Sequence, residues 1–192
     1  NGGFSFDGSG DDIDIPELVS NVSGTFTAWF KSNSSAAQYI IGSSYSSNDR
    51  YYFYLDGGEL NGRLGNGGAV TVSGDYSDNE WYFASLNWSD GVFTLCVNGD
   101  SSCNAGSYTT LNEPVSLFIG RSTAGVYFNG LMDEVMVYNR SLSASEITEL
   151  FEKGRGGKIN RTTLTEYVNV GGTKTYYSLY TINATNGSST SL

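Results

Sequence analysis

Short runs in which apolar and polar residues alternate, each closed by a glycine-containing turn, fill the first 140 residues. The alternation runs through residues 26–30, 52–55, 70–72, 81–86, 92–95, 115–119 and 131–138. A period of two sends successive side chains to opposite faces of an extended chain, so each run predicts a strand with one buried face. Between them lie Asp56-Gly-Gly, Gly65-Asn-Gly-Gly, Ser73-Gly-Asp and Ser89-Asp-Gly, all composed of turn formers. Many short, evenly spaced antiparallel strands predict an all-β fold, a two-sheet sandwich or jelly roll.

One segment breaks the period. Ser143-Ala-Ser-Glu146 is a capping box, and Ile147, Leu150 and Phe151 then repeat at helical spacing, with Gly154 as a stop. It predicts one short amphipathic helix. Composition shifts again after it. Arg155-Gly-Gly-Lys158 reads as a hinge, and residues 162–170 and 173–182 flank Gly171-Gly172 as a second hairpin. Residues 183–192, rich in Ser, Thr, Asn and Gly, have the makeup of a linker. The expected organisation is a sandwich over 1–154 and a β-rich extension over 155–192.

Composition removes whole classes of function. The chain has no histidine, which excludes Ser-His-Asp and Cys-His catalysis and His-ligated metals. Twenty acidic against ten basic residues give a net charge of -10, which repels nucleic acid and anionic membrane surfaces. No apolar run approaches the roughly 18 residues of a membrane span. The chain begins at Asn1 rather than Met, as a chain with its export signal removed or never included would.

Cys96 and Cys103 flank Asn98-Gly99-Asp100, a strong turn signal. A turn there folds the two toward each other and predicts a disulfide stapling a hairpin; six intervening residues are not a zinc spacing. Asn-x-Ser/Thr begins at Asn21, Asn33, Asn87, Asn139, Asn160, Asn183 and Asn186. With the disulfide, these sequons favour an extracellular or cell-surface glycoprotein.

The order of motifs resembles a known family. Residues 4–16, Phe-Ser-Phe-Asp-Gly-Ser-Gly-Asp-Asp-Ile-Asp-Ile-Pro, are similar to the opening of a laminin-G-like, concanavalin A-like jelly roll. Residues 26–31 resemble its next strand, Glu80-Trp-Tyr-Phe-Ala84 its Trp-containing central strand, and Leu95-Cys-Val-Asn-Gly99 its hairpin. Residues 128–143 resemble its closing strand and short helix, so five motifs stand in order over residues 3–154. The resemblance implies two face-to-face antiparallel sheets with first and last strands adjacent, and Trp29, Phe83 and Val135 in the core. Gly8 and Gly130 then serve turns or close backbone approach. It also implies, from part of the wider superfamily, a structural Ca²⁺ with Asp133 as the closing-strand carboxylate and Asp7 in the opening loop.

Some relatives with this fold are glycoside hydrolases whose acids share a strand as Glu-x-Asp-x-x-Glu. That spacing does not occur here, and Glu146, Glu149 and Glu152 read as the solvated face of the helix. The chain is therefore expected not to be an enzyme. Carbohydrate binding would draw on Tyr45, Asn48, Asp49, Arg50 and Tyr51, or on Asp75 and Tyr76. The leading expectation is a structural or adhesive subunit that forms homo-oligomers or homopolymers. Its extension would bridge copies, with Tyr167, Tyr177, Leu179 and Ile182 as anchors. The alternative is a lectin-like module that recognises glycans.

Overall fold

The computed structural model describes residues 3–15, 20–43, 46–114, 116–155, 167–170 and 173–176. Twelve of the described strands divide between two six-stranded antiparallel sheets. The first sheet contains β1 (Phe4–Asp7), β3 (Ser23–Lys31), β8 (Tyr82–Ser89), β9 (Val92–Val97), β10 (Ser102–Ser107) and β12 (Asn129–Tyr138), in the order β1-β12-β3-β8-β9-β10. The second contains β2 (Ile13–Ile15), β4 (Gln38–Ser43), β5 (Tyr51–Asp56), β6 (Glu59–Leu64), β7 (Val70–Val72) and β11 (Leu117–Ile119), in the order β2-β11-β4-β5-β6-β7. The first and last strands of the sandwich pair, Phe4 opposite Met132 and Asp7 opposite Asn129. Helix α1 (Ala144–Arg155) follows, and β13 (Tyr167–Val170) pairs with β14 (Thr173–Tyr176).

Alternation sorts each strand of the first sheet onto two faces. Phe26, Ala28 and Phe30 of β3 and Ala84, Leu86 and Trp88 of β8 point between the sheets, where they meet Phe53, Leu55 and Leu64 of the second. Residues of the opposite parity, Trp29 and Phe83, point outward into a separate cluster with Tyr138, Leu142, Ile147 and Leu150, capped by α1. Phe83 and Val135 are buried as expected; Trp29 is only half buried, and it packs under the helix, stacked on Phe151 at 5.7 Å. A bulge in β12 keeps both clusters supplied. Asp133 pairs with Trp29 and Met136 with Thr27, so Glu134 and Val135 together face one residue of β3. Glu134 takes φ 49 there, and its N–H donates to Asp133 Oδ1 at 2.9 Å.

The capping box forms as the sequence predicts. Ser143 N–H donates to Glu146 Oε2 at 2.8 Å, and Glu146 N–H to Ser143 Oγ at 3.3 Å. Gly154, expected as a stop, instead lies inside the helix. A Cβ there would come 2.1 Å from Trp29 Nε1, so glycine stands where the indole needs room. The Arg140 guanidinium, which bonds both Glu146 oxygens, and the Ser143 N–H and hydroxyl hold the Glu146 carboxyl down at about 2. A depressed carboxylate contributes stability above its ordinary value and loses it as pH falls. The helix is thus expected to loosen as pH drops from about 4 toward 2. Glu146→Gln should flatten that part of the pH profile, read as melting temperature at pH 5 and pH 2.5.

Cys96 and Cys103 are register partners across the β9–β10 hairpin and are disulfide-bonded. Asn98 and Gly99 both take positive φ, the geometry a tight hairpin turn demands. Strands β4 and β6 were not legible as strands, and β10 was legible only as the second arm of the expected hairpin. Gln38-Tyr-Ile-Ile-Gly-Ser does not alternate, Glu59-Leu-Asn-Gly-Arg-Leu reads as polar, and Ser102-Cys-Asn-Ala-Gly-Ser has almost no apolar residue. Neighbouring strands hold them in the extended state despite weak intrinsic preference. Trp81, taken as the start of a core strand, precedes β8 and is 38% exposed.

Candidate functional site

The outward face of the second sheet carries a cluster of tyrosines. Phe53 and Leu55 of β5 point into the core, so Tyr52 and Tyr54 must point away from it. Tyr39 of β4 is the register partner of Tyr54. The Tyr39 and Tyr54 rings are stacked at 5.1 Å, and Tyr52 meets Tyr39 edge-on at 5.2 Å. Tyr39 and Tyr54 are half buried and Tyr52 is 9% exposed.

Polar side chains flank the three rings. Register sets Arg63 beside Tyr52 and Asn61 beside Tyr54. Arg63 Nε donates to Gly67 O at 2.8 Å, and Asn61 is fixed by Thr71 Oγ1, which donates to its Oδ1 at 2.6 Å. On the other side the chain after β11 crosses the face. A Cβ on Gly42 would lie 2.5 Å from Arg121 O and 3.0 Å from the Tyr39 ring, so only glycine lets this segment pass so close. Arg121 lies 3.6 Å above the Phe118 ring and pairs with Asp12 at 3.0 Å. Burial, helped by Asp56 and opposed by Arg63, raises the Tyr54 hydroxyl above its ordinary value. It is therefore neutral at pH 7, able both to donate and to accept beside an aromatic ring. Neutral hydroxyls, rings and fixed amide and guanidinium groups are the ingredients of a sugar-binding surface.

The residues named from sequence for carbohydrate binding do not build such a face. Tyr51 is fully buried, its hydroxyl donating to Asn112 O at 2.9 Å, and Tyr76 is buried against Tyr82. Asp49 accepts from Asn112 Nδ2 at 2.8 Å, Asp75 holds Ser77 in a local turn, and Tyr45 lies outside the described residues. The tyrosine cluster was missed because the alternation over residues 52–55 marks Tyr52 and Tyr54 as an outward pair without showing what lies beside them. Tyr39 joins them only through the strand order.

Asp7 and Asp133 are not brought together. Asp7 sits opposite Asn129, four positions along β12 from Asp133, a separation of roughly 13 Å. Calcium holds its ligands at about 2.3–2.6 Å, so one ion cannot take both carboxylates. Asp7 Oδ1 instead accepts from Ser9 N–H at 2.7 Å, and Asp133 supports the β12 bulge. Of the sequons, Asn33 is exposed in the loop after β3, and Asn21 and Asn139 are half buried. Asn87 has a structural role. Its Nδ2, the atom a glycan would take, donates to Leu142 O at 2.7 Å, and its Oδ1 accepts from Ser141 Oγ at 2.6 Å. Asn160, Asn183 and Asn186 lie outside the described residues, as do Tyr177, Leu179 and Ile182; Tyr167 opens β13.

Comparison with known proteins fits this geometry. Residues 7–148 match the family model described as the concanavalin A-like lectin/glucanases superfamily, of laminin G type. The chain belongs to that family. No curated protein matches it in sequence. Among solved structures it is similar to domains LG4-5 of the mouse laminin alpha1 chain, at 16% identity and TM-score 0.58, over 73% of this chain and 44% of that one. The native heptameric SAP-like pentraxin of Limulus polyphemus is similar at 18% identity and TM-score 0.61, over 77% of this chain and 80% of that one. Trypanosoma rangeli sialidase is similar at 19% identity and TM-score 0.65, over 80% of this chain but 28% of that one. Such low identities establish the fold alone, and the chain spans less than half of the laminin and sialidase structures. Among the described residues, no helix is long and apolar enough to cross a membrane.

Proposed function

We propose that this laminin-G-like domain is a non-catalytic, extracellular glycan-binding module whose ligand lies against the half-buried Tyr39 and Tyr54, with Tyr52 backing them. The observation that carries the reading is the stacked Tyr39–Tyr54 pair, half exposed on an outward sheet face, since a partly exposed aromatic patch marks an interaction surface. Among the described residues no helix covers that face, whereas α1 covers the outer aromatic cluster of the first sheet. Membership of a lectin-containing superfamily and the disulfide support the binding role and the oxidising compartment. Asn33, the most open of the described sequons, is the acceptor this reading favours for a glycan of its own.

A glycan array followed by titration calorimetry with the best ligand tests the reading. Tyr54→Ala and Tyr39→Ala should each weaken binding about tenfold or more, the order expected for an aromatic anchor. Val22→Ala, exposed and remote, should leave it unchanged. A correctly folded Tyr39→Ala/Tyr54→Ala double variant with wild-type affinity would remove the site.

A second reading has its own observation. The β13–β14 hairpin lies beyond the matched residues and forms a two-stranded sheet separate from the other two. In this reading the protein is an adhesive or structural subunit that assembles through its C-terminal extension. Binding and assembly are compatible, because they use different parts of the chain.

A further inference from the structure

Two six-stranded sheets have four edges, and the structure treats them unequally. An edge strand presents unpaired N–H and C=O groups, which proteins blunt by shortness, charge or side-chain plugs. At the β1 edge, Asp11 Oδ2 accepts from Asp7 N–H at 3.0 Å, and the strand ends in that aspartate. Edge strand β2 is three residues long with Asp14 at its centre. Edge strand β7 is also three residues long, and Asn104 Nδ2 donates to its Thr71 carbonyl at 2.6 Å.

Edge strand β10 is blunted neither by shortness nor by charge, and the Asn104 amide that caps β7 is its own. It is six residues long, carries no charged residue and no proline, and is exposed along almost its whole length. Its side chains are small, so another strand can lie close beside it. The Cys96–Cys103 bond locks it in register on β9, which keeps the edge extended. Among the described residues its backbone pairs only with β9.

The C-terminal hairpin has the complementary deficiency. Two strands of four residues each are marginal in water without a third strand. Tyr167-Val-Asn-Val and Thr173-Lys-Thr-Tyr are nonetheless strong strand formers. Among the described residues the hairpin joins neither six-stranded sheet of its own chain.

We propose that β10 is the acceptor edge for the β13–β14 hairpin of a second copy, so that copies join head to tail by strand addition. The proposal rests on the assembly reading above and names its interface. Different surfaces meet on the two copies, so the contact does not close on itself as a twofold dimer does, and it can propagate. Backbone hydrogen bonds supply the attraction, and the uncharged edge avoids adding to the repulsion between chains of net charge -10.

Sedimentation of the full chain over a wide concentration range at physiological salt tests it. Among the described residues both hydrophobic clusters draw their members from positions up to Phe151, so a chain lacking residues 156–192 keeps these clusters. Full-length protein should gain mass with concentration. Ala105→Lys, which charges the edge, and the deletion should each stay monomeric with the domain folded; Ser102→Lys repeats the test should Ala105→Lys fold poorly. The decisive sample mixes the two, since one supplies a hairpin and the other an intact edge. They should form one-to-one heterodimers and nothing larger. If both lysine variants assemble like the wild type while the deletion does not, the edge assignment fails and assembly through the extension survives. A full chain that is monomeric at every concentration would overturn the assembly reading itself. If monomeric full chain protects residues 102–107 from hydrogen exchange more than the deletion does, the hairpin occupies its own edge and the second copy is excluded.

Discussion

Trp88→Ala should cost about 3–5 kcal/mol of folding stability, the range found when a large buried aromatic is truncated. The indole is 1% exposed and lies 4.9 Å from the Phe26 ring and 5.6 Å from that of Tyr51, so it joins three strands from both sheets. Its Nε1 donates to Ser20 O at 3.2 Å, a bond the alanine loses as well. The site also has little room to collapse, because the chain is already drawn in. A Cβ on Gly24 would lie 2.1 Å from the ring, so the backbone of β3 is in contact with the indole. A urea titration should show a lower midpoint with an unchanged slope. For a chain of this size the melting temperature should fall by roughly 10 °C or more. A loss under about 1 kcal/mol would mean that the two sheets are held by something other than this contact.

Gly130→Ala should be nearly as damaging for a different reason. Gly130 takes φ 151, a backbone region that L-residues avoid, and an added Cβ would lie 2.1 Å from the Lys31 carbonyl oxygen. It sits in β12 between β1, where it faces Phe6, and β3. The methyl group therefore forces apart the strands that close the sandwich. Strain of this kind costs about 1–3 kcal/mol before the backbone clash is counted. Gly125→Ala provides the comparison. It has φ 73 but no atom within 4 Å of its added Cβ, so it isolates the conformational strain from the clash. Gly130→Ala should lose at least about 2 kcal/mol more than Gly125→Ala in parallel denaturation curves. Equal losses would show that close approach at Gly130 is not what requires the glycine.

The functional candidates were much less legible than the fold, and particular residues show why. The Tyr52 and Tyr54 parity can be read from the chain, because Phe53 and Leu55 are the more apolar pair. Tyr39 cannot be added to them from sequence. It is thirteen residues away from Tyr52 by number, and only the pairing of β4 with β5 sets it against Tyr54. Tyr51 and Tyr76 failed in the opposite direction. Both sit in loop-like sequence beside Asp49 and Asp75, which suggested exposure, yet the sandwich folds their rings inward. Asn87 carries a sequon, and only the closing segment that reaches it from residues 141–142 shows that its amide is already committed.

What the sequence determined by itself was local. Alternating runs specified most of the strands, Asn98-Gly99 the hairpin that brings Cys96 to Cys103, and Ser143 with Glu146 the start of α1. Each of these interactions spans a few residues, so its cost in chain entropy is small and its signal is written in consecutive positions. Tertiary structure alone decided the rest. It turned β4 and β6 into strands by pairing them, moved Trp29 from the main core to the helix-covered face, and made Gly154 an indole contact rather than a stop. It separated Asp7 from Asp133 and left β10 as the one unblunted edge among the described strands. Those outcomes depend on which strands become neighbours, a property of contacts between residues far apart in the chain that no local pattern encodes.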